Sequence, residues 1–158
     1  QDTGQSLYRR GMYTFIKLTV PPPSMALFDA SNRDQCEVKR GLTNTPLQAL
    51  AMMNDPYVLE ASRVFGQKLM EAGNDASVNI SLAFRRILCR KPTAKEIELL
   101  QQYYNDQLTS FKNGKLDAAK TIRAGEYPID KKLEKNELAA LMKLINLIYN
   151  MEEAIVKT

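Results

Sequence analysis

Asp29, Asn32, Arg33 and Asp34 form the densest group of side chains in this chain that could bind or react. A guanidinium set among carboxylates and an amide can hold an anion through paired hydrogen bonds, or can grip the hydroxyls of a sugar. The same residue types also build a loop that bonds its own backbone through Asx turns and a local Arg–Asp pair. The calcium-loop pattern D-x-[DN]-x-[DN]-G does not fit, because Ser31 stands at its third position and the turn glycine is missing. No metal is expected there.

A second polar set lies just downstream. Asn44 and Gln48 are four residues apart and share one face of a helix start, while Asn54-Asp55 marks the start of the next helix. Paired helix N-termini expose N–H groups that favour anions, so these four side chains could line a cleft. They equally suit capping and a buried hydrogen-bond network that sets the angle between two helices. Arg10, with Asp29 or Asp55, is the charge pair that would sit at such a cleft. Two carboxylates flanking a glycosidic bond would suit hydrolysis, which requires a spacing of ~5–9 Å that sequence does not supply. Tyr103-Tyr104 offers a sugar-stacking face, or one core ring beside a half-exposed one.

Several chemistries are excluded outright. The 158 residues contain no histidine, which removes Ser-His-Asp and Cys-His nucleophile systems and any imidazole ligand for zinc or haem iron. Catalysis would have to use carboxylates, Lys, Tyr or a supplied cofactor. Cys36 and Cys89 are far apart and outside any C-x-x-C pattern, so they read as two small buried residues, or as a disulfide in an oxidising compartment. The net charge of +4 is mild, and acids separate the basic pairs Arg9–Arg10, Lys39–Arg40, Arg85–Arg86 and Arg90–Lys91. Nucleic-acid binding needs a clustered basic face, so it is not expected. No apolar run reaches the ~18 residues of a membrane span. The chain opens on Gln1-Asp2-Thr3-Gly4 without an initiator Met and reads as a piece of a longer polypeptide.

The elements that would position these groups are legible as helices. Ser6–Thr19 carries apolar residues near helical spacing, but Gly11 and its β-branched residues leave a short strand over Tyr13–Val20 as the competitor. Pro21-Pro22-Pro23 predicts an extended polyproline stretch, followed by an ordered loop over Ser24–Gly41. Thr45-Pro46 opens a helix to Asn54, and Asp55-Pro56 repeats the device for a helix to Gly73-Asn74 with Val58, Leu59, Ala61, Val64, Phe65, Leu69 and Met70 as its apolar face. A helix over Val78–Cys89 follows. Thr93 and Glu96 then form a capping box for one running through Ile97 to Phe111. A short helix over Leu116–Ala124 and a long one over Lys135–Val156 complete the chain. The apolar stripe of the last is wider than ~100°, which places it at the centre of a core or against a missing partner.

The segments Leu7-Tyr8-Arg9-Arg10, Thr19-Val20-Pro21-Pro22-Pro23-Ser24-Met25, Phe28-Asp29-Ala30, Asn32-Arg33, Thr43-Asn44-Thr45-Pro46-Leu47-Gln48 and Asn54-Asp55-Pro56 together resemble the planctomycete surface domain family of the PSD-one type, a domain of unknown function. Arg85-Arg86 through Arg90-Lys91-Pro92-Thr93 resembles its helix junction, and Asn150-Met151-Glu152-Glu153 its terminal helix. Ile16 stands where an aromatic is common in the family. The resemblance implies a large exported protein, periplasmic or at the cell surface. Upstream it would carry a c-type cytochrome domain and a second uncharacterised domain, with a link to polysaccharide use. Haem would then sit only on the upstream domain, leaving this chain without a cofactor.

The expected architecture is an all-α single domain, 1–158, of roughly five to seven helices, with an arm and loop over 1–45 and a helical body over 46–158. The leading expectation is an accessory or interaction module whose partners are the upstream domains of the same polypeptide and, for the sugar reading, carbohydrate. The alternative is part of an enzyme acting on an extracellular polysaccharide. The candidate cleft for either comprises Arg10, Asp29, Asn32, Arg33, Asn44, Gln48, Asn54 and Asp55.

Overall fold

The structure is a computed structural model, and it describes residues 4–9, 11–16, 20–31, 36, 38, 39, 41 and 43–156. The fold is all-α, with no strand among the described residues. Contacts divide the chain into two compact units, Gln1–Gln48 and Ala49–Thr158. No described helix is long and apolar enough to cross a membrane.

In the first unit, neither the helix expected over Ser6–Thr19 nor the competing strand over Tyr13–Val20 forms among the described residues, with positions 10 and 17–19 lying outside them. Two 3-10 turns occupy Gly4–Tyr8 and Gly11–Tyr13 instead. No residue of the first turn is buried, so no packing repays the cost of nucleating a longer helix. The polyproline expectation also needs correction. Pro22 is extended (φ −55°, ψ 131°), but Pro23 opens a helix, α1 (Pro23–Leu27). Its ring suits the first helical position, where no N–H is required, and the Pro22 carbonyl accepts from Met25 and Ala26. The predicted loop, expected from Ser24, therefore begins only at Phe28, with a helix cap.

That cap explains Asp29. The Ala30 N–H donates to the Met25 carbonyl at 2.9 Å and the Asp29 N–H to that of Ala26 at 3.4 Å, which is a Schellman closure. It requires a left-handed residue, and Asp29 supplies it at φ 55°. A short polar side chain tolerates that region better than most.

The boundary between the units falls within α2 (Pro46–Asn54). The second unit holds α3 (Pro56–Glu71), α4 (Ala76–Leu88), α5 (Ala94–Lys112), α6 (Ala118–Thr121), α7 (Lys135–Tyr149) and α8 (Glu152–Ile155). Of the two places open to the last long helix, the structure gives it the centre. Leu138, Leu144, Ile145 and Ile148 of α7 are fully enclosed, and the helix packs against α3, α4, α5 and α6. The wide apolar stripe is what four neighbours require.

This helix stops earlier than the Val156 expected from its pattern. Asn150 caps it, its side chain donating to the Asn146 carbonyl at 2.9 Å, and Met151 leaves in extended conformation before α8 begins. The short helix also contracts: Asp117 caps α6 by accepting from the Lys120 N–H at 3.0 Å, and only one turn follows.

The apolar face expected on α3 is displaced. Ala61 is exposed and Val64 and Phe65 are only half-buried, whereas Glu60, Ser62, Arg63, Gly66 and Gln67 face inward with Leu69. Gly66 explains part of the shift. A Cβ built there would lie 3.4 Å from Leu138 and 3.7 Å from Leu141, so the small residue lets α7 lie close against α3. The cysteines are corrected too, since both are exposed free thiols rather than buried residues or a disulfide. Cys89 ends α4 in the left-handed region at φ 58°, which turns it out of the core.

Candidate functional site

Of the eight candidate residues, Arg10, Asn32 and Arg33 lie outside the described residues, as does the proposed pairing of Arg10 with an aspartate. Asp29, Asn44 and Gln48 belong to the first unit, and Asn54 and Asp55 to the second.

In the first unit, Asp29 and Gln48 meet through Thr43. The Thr43 N–H and hydroxyl both donate to one Asp29 carboxylate oxygen, at 2.9 and 2.7 Å. The Gln48 amide donates to the Thr43 hydroxyl at 3.0 Å and to the Leu27 carbonyl at 2.8 Å. Leu27 closes α1, so its carbonyl is one that the helix itself leaves open. The Gln48 amide oxygen reaches back to the Thr45 N–H at 2.9 Å, and the Thr45 hydroxyl accepts from the Gln48 N–H at 3.3 Å. This is a capping box in which Gln takes the place of Glu. One side chain thereby ties the end of α1 to the start of α2. Asn44 is exposed beside it.

In the second unit, Asp55 caps α3 by accepting from the Tyr57 N–H at 2.7 Å, and Asn54 donates to the Leu50 carbonyl at 2.8 Å. Each described candidate other than Asn44 thus has its side chain bonded to backbone groups of its own unit. Among the described residues, no group of three or more carboxylates and thiols is placed to hold a metal ion.

The structure adds two polar constellations that pattern reading missed. The first is buried in α3. Arg63 is wholly enclosed, with its guanidinium donating to the Ala124 carbonyl at 3.3 Å, the Pro128 carbonyl at 3.5 Å and the Gln67 side chain. Glu60 lies 3.7 Å from it. Both side chains hold the loop after α6, where Gly125 takes φ 80° and presses so closely on Glu60 that any Cβ would overlap its carboxylate. The available signal was a Glu-x-x-Arg-x-x-x-Gln spacing, which puts all three residues on one helical face.

The second constellation is an ionic junction. Arg90 donates to both oxygens of Glu96, at 2.7 and 3.0 Å, and to both oxygens of Glu153, at 2.7 and 2.9 Å. Its guanidinium also stacks 4.8 Å from the Phe84 ring centre. Glu96 serves the capping box expected from Thr93 at the same time, accepting from the Thr93 N–H at 2.7 Å. These bonds, led by that of Arg90, hold the Glu96 carboxyl down at about 2, and the same guanidinium lowers Glu153. The arginine at the α4–α5 junction and Glu153 of α8 thus meet across 63 residues of chain.

Two of the hollows lined by described residues open on the second unit. The larger, about 560 Å³, is shallow and lies between the starts of α6 and α7, beside Asp117, Ala118, Glu134 and Lys135. The smaller, about 130 Å³, is more enclosed and lined by Met70, Asn74, Ala76, Asn79, Tyr104, Glu137 and Leu141. Tyr104 packs in the core with Tyr103 half-buried beside it, and burial with the nearby Glu137 and Glu134 pushes the Tyr104 phenol up to about 12.

Comparison with curated proteins and with solved structures finds no match. A family profile described as "PSD1: Protein of unknown function (DUF1553)" matches residues 1–104, from the first 3-10 turns into α5. That segment includes the α1 cap, the Thr45–Gln48 box, the Asp55 cap and the Arg90–Glu96 junction, and by this match the chain belongs to the PSD1 family of proteins of unknown function.

Proposed function

We propose that this chain is a non-catalytic accessory module of an exported, cytochrome-linked protein, serving to dock neighbouring domains of the same polypeptide in a setting of polysaccharide use. The observation that carries this reading is the double attachment of Gln48, which joins the last carbonyl of α1 to the capping box of α2. A catalytic or sugar-binding group needs polar atoms aimed at a ligand. Here the polar atoms of Asp29, Gln48, Asn54 and Asp55 instead hold turns and helix ends. Such bonding favours a segment with one rigid shape, which is what a docking surface requires.

The export and cytochrome parts of the proposal rest on the family resemblance. The test is calorimetric titration of the chain against the separately produced upstream region of its polypeptide, together with glycan-array and redox profiling of each piece. Saturable binding to the upstream region, with the chain alone silent on glycans and redox substrates, is the expected result. Glycan binding or turnover by the chain alone would replace this reading with the enzyme one.

A further inference from the structure

We propose that the smaller hollow is a binding site for a primary ammonium group carried on a short alkyl stem. Asn79 lines it and is 3% exposed. Its amide nitrogen donates to the Asn74 carbonyl at 3.2 Å, which fixes the orientation of the group. Its Oδ1 is buried and has no hydrogen-bond partner among the described residues. An unsatisfied buried acceptor is costly, and a donor lodged beside it recovers that cost.

The rest of the lining narrows the donor's chemistry. Glu137 contributes a carboxylate, and no cationic side chain lines the hollow. Burial above all, with Glu137 and Glu134 nearby, pushes the Tyr104 phenol up, which agrees with a carboxylate beside it. An ammonium offers three N–H donors and a positive charge to these acceptors. A bare divalent ion would want six or more hard oxygens, which this lining does not provide. Met70, Ala76 and Leu141 form an apolar side. At about 130 Å³ the hollow is larger than one water's share of ~30 Å³ and matches an ammonium with a few carbons. Such a group could belong to a free short amine or to a lysine side chain. This inference is independent of the docking role, since every lining residue lies within the second unit.

The test is a two-dimensional amide NMR titration of the 158-residue chain with n-propylammonium chloride at constant ionic strength. Separate arms use blocked lysine (Nα-acetyl-lysine amide) and n-propanol. The expected result is saturable shifts at the Asn79 side-chain amide and the Ala76 backbone, with a dissociation constant near ~10 mM or tighter. Blocked lysine shifting the same signals assigns the site to a protein side chain. Silence from it, with propylammonium binding, assigns the site to a free amine. Glu137→Gln, a half-buried position whose change leaves the core intact, should weaken binding about tenfold or more. No saturation by either ammonium, equal shifts with n-propanol, or a Glu137→Gln variant that binds as before would each overturn the proposal.

Discussion

Glu60 and Arg63, one turn apart on α3, grip the same backbone residue from both sides. The Glu60 carboxylate accepts from the Tyr127 N–H, and the Arg63 guanidinium donates to the Tyr127 carbonyl at 2.6 Å. The loop after α6 is therefore fastened to the core by side chains in a stretch where it has no helix of its own. A buried ion pair contributes little net stability by itself, but here both partners satisfy backbone groups that would otherwise be orphaned.

Removing one partner leaves the other charge enclosed. Arg63→Ala should lower unfolding free energy by about 3–5 kcal/mol, read from urea denaturation. Gly125→Ala should also destabilise, by at least about 1–2 kcal/mol, because a left-handed residue gains a Cβ that meets Glu60. Denaturation curves that overlay the parent's would contradict this account of the loop.

Gly66 leads to a prediction of opposite sign. Its Cβ position contacts Leu138 at 3.4 Å, which is ordinary van der Waals contact. Gly66→Ala should therefore stabilise by about 0.5–1 kcal/mol through helix propensity. Gly66→Leu should destabilise by about 1–3 kcal/mol through overpacking against α7. Thermal melts of the two variants separate them, and a destabilised Ala variant would show that α3 and α7 lie closer still.

The Arg90 junction sets an acid-side pH dependence. Glu96 titrates at about 2 against an ordinary value of 4.5, and Glu153 is lowered with it. Both carboxyls are stronger acids when folded, so their stabilisation is complete above 4.5 and is lost as pH falls toward about 2. Arg90→Met should flatten the fall in urea midpoint across that window, as should high salt to a lesser degree. Parallel pH profiles for parent and variant would contradict the assignment.

Helix positions were readable where local chemistry alone decides them. Thr45-Pro46, Asp55-Pro56 and Thr93-x-x-Glu96 each announce a start through a cap, and each cap forms. The centrality of α7 was one of two readings of an apolar stripe too wide for a surface helix. What failed was non-local. Periodicity counts apolar residues, so it pointed to Val64 and Phe65 on α3 and passed over Arg63, whose burial depends on carbonyls more than 60 residues away. The end of α7 failed for a similar reason, because Leu147 to Ile155 continues a helical pattern while Asn150 closes the helix and Glu153 is bonded to Arg90. Among the candidate site residues, Gln48 and Asp55 were legible as caps. Asp29 was not, since its left-handed role follows from α1, a helix hidden behind three prolines.

The central claim is that the side chains of Asp29, Gln48 and Asp55 hold backbone N–H groups of their own segments. Residue-resolved amide hydrogen exchange tests it most directly, at Thr43, Thr45 and Tyr57, whose N–H groups donate to Asp29, Gln48 and Asp55. All three amides should be protected in the parent chain, and Asp29→Ala, Gln48→Ala and Asp55→Ala should each release its own partner amide. Amides that exchange freely in the parent, or protection that survives these substitutions, would contradict the account.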